Sequence, residues 1–99
     1  MQILALKALR EFWTKYPQAE KPLRTWYKVV SSARWTKPNE VKAAFGANVD
    51  FLGDNRAIFD IGGNKYRLVV WIVYHPYYRM MIKFVGTHED YDKIDPETV

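Results

Sequence analysis

Arg56-Ala57-Ile58-Phe59-Asp60-Ile61-Gly62-Gly63-Asn64-Lys65-Tyr66-Arg67-Leu68-Val69-Val70-Trp71-Ile72-Val73-Tyr74 is the stretch that decides the fold. Two runs rich in β-branched and aromatic residues flank Gly62-Gly63-Asn64, which supplies the positive φ a short hairpin loop needs. The pattern predicts strands over Arg56–Ile61 and Lys65–Tyr74. A third apolar run, Arg79–Val85, comes after the turn His75-Pro76-Tyr77-Tyr78. Strands joined by connections this short are antiparallel.

Side chains alternate between the two faces of a strand. One set (Ala57, Phe59, Ile61; Tyr66, Leu68, Val70, Ile72, Tyr74; Met80, Ile82, Phe84) carries no charge and is expected to pack on helices. The other set holds Arg56, Ile58 and Asp60, then Lys65, Arg67, Val69 and Trp71, then Arg79, Met81, Lys83 and Val85. Every strand cation falls on this second face, beside an exposed Trp71. Cations hold phosphates and an indole ring stacks a base, so the face suits single-stranded RNA. A sheet face turned to water also carries Arg and Lys for solubility alone. The residues just beyond the last strand decide between these two possibilities.

Working outward toward the N-terminus, Leu6, Leu9, Phe12, Trp13 and Tyr16 recur every three to four residues, which predicts a helix from Leu6 to Tyr16 ended by Pro17. A second helix is expected over about Ala19–Ala33, with Leu23, Trp26, Tyr27 and Val30 inward and Pro22 tolerated in the first turn. Met1–Leu4 suits a short edge strand. Trp35–Asn55 reads as irregular, with one short helix from Pro38 to Phe45 closed by Gly46 and a turn at Gly53-Asp54-Asn55. The fold class is therefore α+β: an N-terminal helical hairpin laid on an antiparallel sheet of three to four strands, in one domain spanning 1–99.

Composition narrows the chemistry. The chain has 99 residues, 48% of them apolar, and no Cys, so disulfides, a thiolate nucleophile and a Cys-based zinc site are all excluded. With two His, a His-rich metal site is not expected either, and no cofactor is called for. Leu68–Tyr74 is too short to cross a bilayer, and no leader pattern comes after Met1, which points to the cytoplasm and away from any membrane. Residues 1–85 hold 14 Lys and Arg against 6 Asp and Glu, whereas residues 86–99 hold 1 against 5. A basic body favours an anionic partner.

The exit from the sheet, Lys83-Phe84-Val85-Gly86-Thr87-His88-Glu89-Asp90-Tyr91-Asp92, carries the candidate chemistry. An imidazole ordinarily titrates inside the working pH range, so His88 can give or take a proton. Tyr91 adds a phenol expected to become a better proton donor as nearby cations lower its pKa. Arg67 and Lys83 on neighbouring strands are placed to steady the charge of a phosphorane-like transition state. These groups suit attack of a ribose 2′-OH on its own 3′-phosphate without a metal. The same face also suits a non-catalytic RNA- or ribosome-binding module, or a subunit that binds only protein.

Several blocks together resemble the HigB family of type II toxins, within the RelE-like mRNA interferase superfamily. They are Lys7-Ala8-Leu9-Arg10-Glu11-Phe12, Pro38-Asn39-Glu40-Val41-Lys42, Gly53-Asp54-Asn55-Arg56, Ile61-Gly62-Gly63-Asn64-Lys65-Tyr66-Arg67-Leu68-Val69 and Phe84-Val85-Gly86-Thr87-His88-Glu89-Asp90-Tyr91-Asp92. The resemblance implies a RelE-like two-layer fold and a ribosome-dependent endoribonuclease acting on mRNA in the ribosomal A site. It implies as well a cognate HigA-like helix-turn-helix antitoxin, through which alone the toxin meets DNA. By matching positions it puts Asn64, Lys65 and Arg67 on the RNA face, with Lys83, His88 and Tyr91 nearest the scissile phosphate. Arg56, Trp71, Arg79 and Thr87 complete the expected RNA contacts. Relatives often carry Arg where this chain has Lys83, a point charge lacking the planar fork that grips a phosphate twice.

Overall fold

The computed structural model describes residues 1–99. In chain order it contains β1 (Gln2–Leu4), α1 (Leu6–Lys15), α2 (Glu20–Ser32), α3 (Pro38–Phe45), β2 (Val49–Leu52), β3 (Arg56–Ile61), β4 (Tyr66–Val73), β5 (Arg79–Thr87) and α4 (His88–Tyr91). Short 3₁₀ turns at Pro17–Ala19 and Gly46–Asn48 join α1 to α2 and α3 to β2. The α+β layer expected from sequence is present, with a larger sheet. It has five strands in the order β1-β5-β4-β3-β2, antiparallel except for the edge pair β1 and β5, which is parallel.

Two strands account for the difference. β1 matches the edge strand expected at Met1–Leu4, and it pairs with the start of β5 through Gln2↔Arg79 and Leu4↔Met81. β2 lies in the segment that reads as irregular. Its four residues alternate too briefly to stand out in the sequence, and β3 captures them through Val49↔Phe59 to Leu52↔Arg56.

The helices bury the face predicted for them. Leu9, Leu23, Val30, Phe59, Leu68, Ile72 and Met80 are fully buried. Phe59 lies at the centre, its ring edge-on to Trp26 at 5.6 Å and to Phe45 at 4.8 Å between centroids. Such aromatic pairs add to the area term that drives core formation. Tyr27, expected on the inner stripe of α2, is 40% exposed instead, because Leu23, Trp26 and Val30 already fill that stripe.

Strand parity holds through β3 and β4 and fails on β5. Val69 pairs with Phe84, but Val70 pairs with Ile82, so Lys83 faces no residue of β4. This β-bulge reverses the alternation beyond it. Val85 therefore joins the core side and Phe84 the opposite face, the reverse of the sequence expectation. Lys83 bulges outward and is exposed.

The second face is also less open than its composition suggests. Ile58 and Val69 on it are buried although they lie outside the helix-side core. α4 packs across β4 and β5, and the chain after it runs back over the sheet to β3, where Arg56 Nη1 donates to the main-chain oxygens of Pro96 (3.2 Å) and Val99 (2.8 Å). The acidic tail thus reaches the β3 side of the basic face.

Truncating Phe59 empties the centre of the core against two rings. Phe59→Ala is expected to lower unfolding free energy by about 3–5 kcal/mol, read as a shift of the urea midpoint; a shift below about 1 kcal/mol contradicts this packing.

Candidate active site

The end of β5 builds the site. Thr87 closes the strand and caps α4: its Oγ1 accepts from the Asp90 amide at 3.1 Å, while Asp90 Oδ2 accepts from the Thr87 amide at 3.4 Å. This reciprocal capping box satisfies two amides that a helix start leaves open. The turn it fixes presents His88 at the first helical position and Tyr91 three residues later, a spacing that puts both on one side. One residue before the cap, Gly86 is buried, and a Cβ there would lie 2.5 Å from Phe84 Cζ. The absence of that Cβ lets the Phe84 ring fold over the strand, where it stands 6.5 Å from the Tyr91 ring.

Arg67 on β4 is the hub. Its cross-strand neighbour on β3 is Asp60, and Nε sits 3.2 Å from Asp60 Oδ1, with the two side chains 12% and 22% exposed. Nη1 donates to Tyr66 O at 3.3 Å, and Nη2 donates to Asn64 Oδ1 at 2.7 Å and contacts His88 Nε2. A guanidinium can only donate. A neutral His88 ring meets it by offering the Nε2 lone pair, the tautomer with its proton on Nδ1. The arrangement presents a proton acceptor at Nε2 beside a fixed positive charge.

Tyr91 differs from the sequence expectation. Burial raises its phenol pKa above the ordinary value; Asp50, Asp92 and Asp60 raise it further, and Arg67 opposes them without prevailing. The carboxylates on β2, β3 and the tail outnumber the one cation. Tyr91 is thus a neutral hydrogen-bond and proton donor rather than a phenolate.

The other predicted residues separate into groups. Asn64 is bound to Arg67, and Lys65 stands exposed beside it in the β3–β4 turn without an ion-pair partner. Thr87 touches the site through its cap, its hydroxyl accepting from the Asp90 amide. Arg56 is half-buried, and its Nη1 donates to the tail's main-chain oxygens. Trp71 and Arg79 lie at the far end of the sheet, Trp71 paired with Met81 and Arg79 with Val73. From Arg67 to Trp71 is four strand residues, about 14 Å along β4. Lys83 lies between the two ends, exposed and without a partner in the structure.

Asp60 is a site residue that the sequence expectation lacks, although parity places it on the same face as Arg67. The register Asp60↔Arg67 results from the Gly62-Gly63 turn and would have supplied it. The capping box was legible too, as Thr-x-x-Asp before the helical turn. No group of three or more His, Asp or Glu side chains converges as a metal-binding set. What the cluster offers is an imidazole lone pair, a neutral phenol and a buttressed guanidinium around one spot: the parts of general acid–base chemistry on an anionic substrate.

A helical pair on a sheet with this cationic acid–base corner is the arrangement the resemblance to RelE-like toxins leads one to expect. The family described as HigB_toxin, RelE-like toxic component of a toxin-antitoxin system, matches residues 19–94. The chain belongs to that family, whose members have an antitoxin as counterpart. It is 32% identical over 94 residues, 93% of this chain and 88% of the relative, to the mRNA interferase toxin HigB of Escherichia coli strain K12. The mRNA interferase HigB of Shigella flexneri matches to the same extent. That of Escherichia coli O6:H1 strain CFT073 is 28% identical over 95 residues, 95% of this chain and 91% of the relative.

The raised Tyr91 pKa fixes a sign for alkaline stability. A phenol whose folded pKa exceeds its unfolded value stabilises the fold fully below the unfolded value, about pH 10, and that contribution is lost as pH rises through the folded one. Tyr91→Phe should therefore lose less stability than the parent between about pH 9 and pH 11, measured by urea midpoints. Identical pH profiles would show that the phenol is not perturbed in this way.

Proposed function

We propose that this protein is an endoribonuclease toxin that cleaves mRNA in the ribosomal A site by metal-free general acid–base chemistry. Its proposed setting is the cytoplasm, where a HigA-like helix-turn-helix antitoxin neutralises it and provides its only link to DNA. The observation that carries the reading is the direct Arg67–His88 contact beside a neutral Tyr91 phenol. The relatives named mRNA interferase supply the substrate class.

In this reading His88 Nε2 takes the proton of a ribose 2′-OH. The new O2′–P bond forms as the P–O5′ bond breaks, and Tyr91 gives its proton to the departing O5′. The products are a 2′,3′-cyclic phosphate and a 5′-hydroxyl, and solvent carries the proton from His88 back to Tyr91. Arg67 transfers Nη2 from His88 and Asn64 to a phosphate oxygen while Nε stays on Asp60, so the guanidinium pivots without leaving the site. Lys83 and Lys65, exposed and unpaired on either side of that point, hold flanking phosphates. Asn64 Oδ1, once Arg67 releases it, accepts a hydrogen bond from a ribose hydroxyl or base N–H of the RNA.

His88→Ala is expected to reduce cleavage of translated mRNA by about 10²–10⁴-fold, the usual worth of a general acid–base group, with the fold intact. Mapping 5′ ends after induction of the parent and the variant measures this. New ends in both at equal rates remove His88 from the chemistry. Growth arrest by the parent without new ends makes the protein a non-catalytic ribosome binder.

A further inference from the structure

At the end of the sheet away from His88, side chains from three strands make a second, differently built surface. Leu4, Met81 and Trp71 form one cross-strand row on β1, β5 and β4, and Arg79 and Val73 form the next. With Tyr77 from the β4–β5 turn they line a cavity of 240 Å³. Its walls are apolar except for Arg79, and no acidic side chain lines it. Trp71 is 39% and Tyr77 64% exposed, among the most open large apolar residues of the chain. Arg79 is exposed and has no ion-pair or hydrogen-bonding partner through its side chain. The tail reaches Arg56, the cross-strand neighbour of Trp71, while Trp71 itself stays exposed.

We infer that this cavity is a nucleobase-stacking subsite for single-stranded RNA, separate from the catalytic corner and continuous with it. The inference rests on the proposed RNA-cleaving function and extends it. An exposed indole and phenol beside an unpaired guanidinium is the combination that binds single strands without reading sequence: rings take the bases and cations take the phosphates. Continuity supports RNA as the occupant. Met81 and Lys83 point to the same side of β5, two residues or about 7 Å apart, so Lys83 bridges the cavity to the His88 end. Arg79, Lys83 and Arg67 then form a cationic line down the uncovered strip of the sheet.

The test measures binding of a fluorescein-labelled single-stranded oligoribonucleotide by anisotropy, in the His88→Ala background so that the probe survives. Trp71→Ala is expected to weaken binding roughly 5- to 100-fold, the worth of one base–aromatic stack, and Trp71→Phe to restore most of it. Arg79→Ala should flatten the salt dependence of binding. In the parent background, Trp71→Ala should raise KM for mRNA cleavage with kcat retained, as loss of uniform binding does. Unchanged oligonucleotide affinity in Trp71→Ala overturns the subsite while leaving the catalytic reading intact. A Trp71→Ala variant that binds RNA normally but no longer self-associates or holds its antitoxin assigns the cavity to protein. Undiminished cleavage by His88→Ala, by contrast, overturns the catalytic reading and not the subsite.

Discussion

Asp60 and Arg67 face one another across β3 and β4, and the organisation of the functional corner depends on that pair. A lone guanidinium on a central strand would extend into water; with its Nε on a carboxylate and 12% of the side chain exposed, it lies along the sheet with Nη2 turned toward α4. The pair is too screened to be a simple surface bridge and too open to be a buried one, so its worth lies in orientation more than in stability. The same carboxylate also acts on Tyr91, helping to keep the phenol protonated. One acidic residue thereby aims the cation and adds a small push to the burial that keeps the phenol protonated. The negative charge it contributes also leaves the corner less repulsive to a second cation than two unpaired arginines would be.

Backbone irregularities position the rest. The bulge at Lys83 turns Phe84 onto the functional face, where Gly86 makes room for its ring and the ring in turn supports Tyr91. A regular β5 would have sent Phe84 into the helical layer and left Tyr91 without that wall. Bulges recur beside functional sites because one extra residue re-aims every side chain beyond it. The capping box then converts a strand end into a helical turn within a single residue, so His88 is held by backbone hydrogen bonds rather than by a loose loop.

The acidic tail divides the basic face. By occupying Arg56 at the β3 edge of a face on which Ile58 and Val69 are already buried, it leaves the open cations along β5 and the ends of β4. The cations that remain unpaired (Lys65, Arg79 and Lys83) all lie there. Charge on this protein is therefore patterned by the path of its own chain, and the net +4 understates how positive the open surface is.

Period-two alternation from Arg56 to Val73, the helical stripes and the Gly62-Gly63 turn were determined by local sequence, because each depends on neighbours a few residues away. That was enough for the α+β class and for the apolar face of β3 and β4, whereas the meeting of Arg67 with His88, 21 residues apart, required the closed sheet. Tertiary structure alone decided the two edge pairings, the bulge that reversed Phe84 and Val85, the capture of Arg56 and the upward shift of Tyr91. Each of those depends on groups distant in the chain, whose separation is set only when the sheet closes and the tail crosses it.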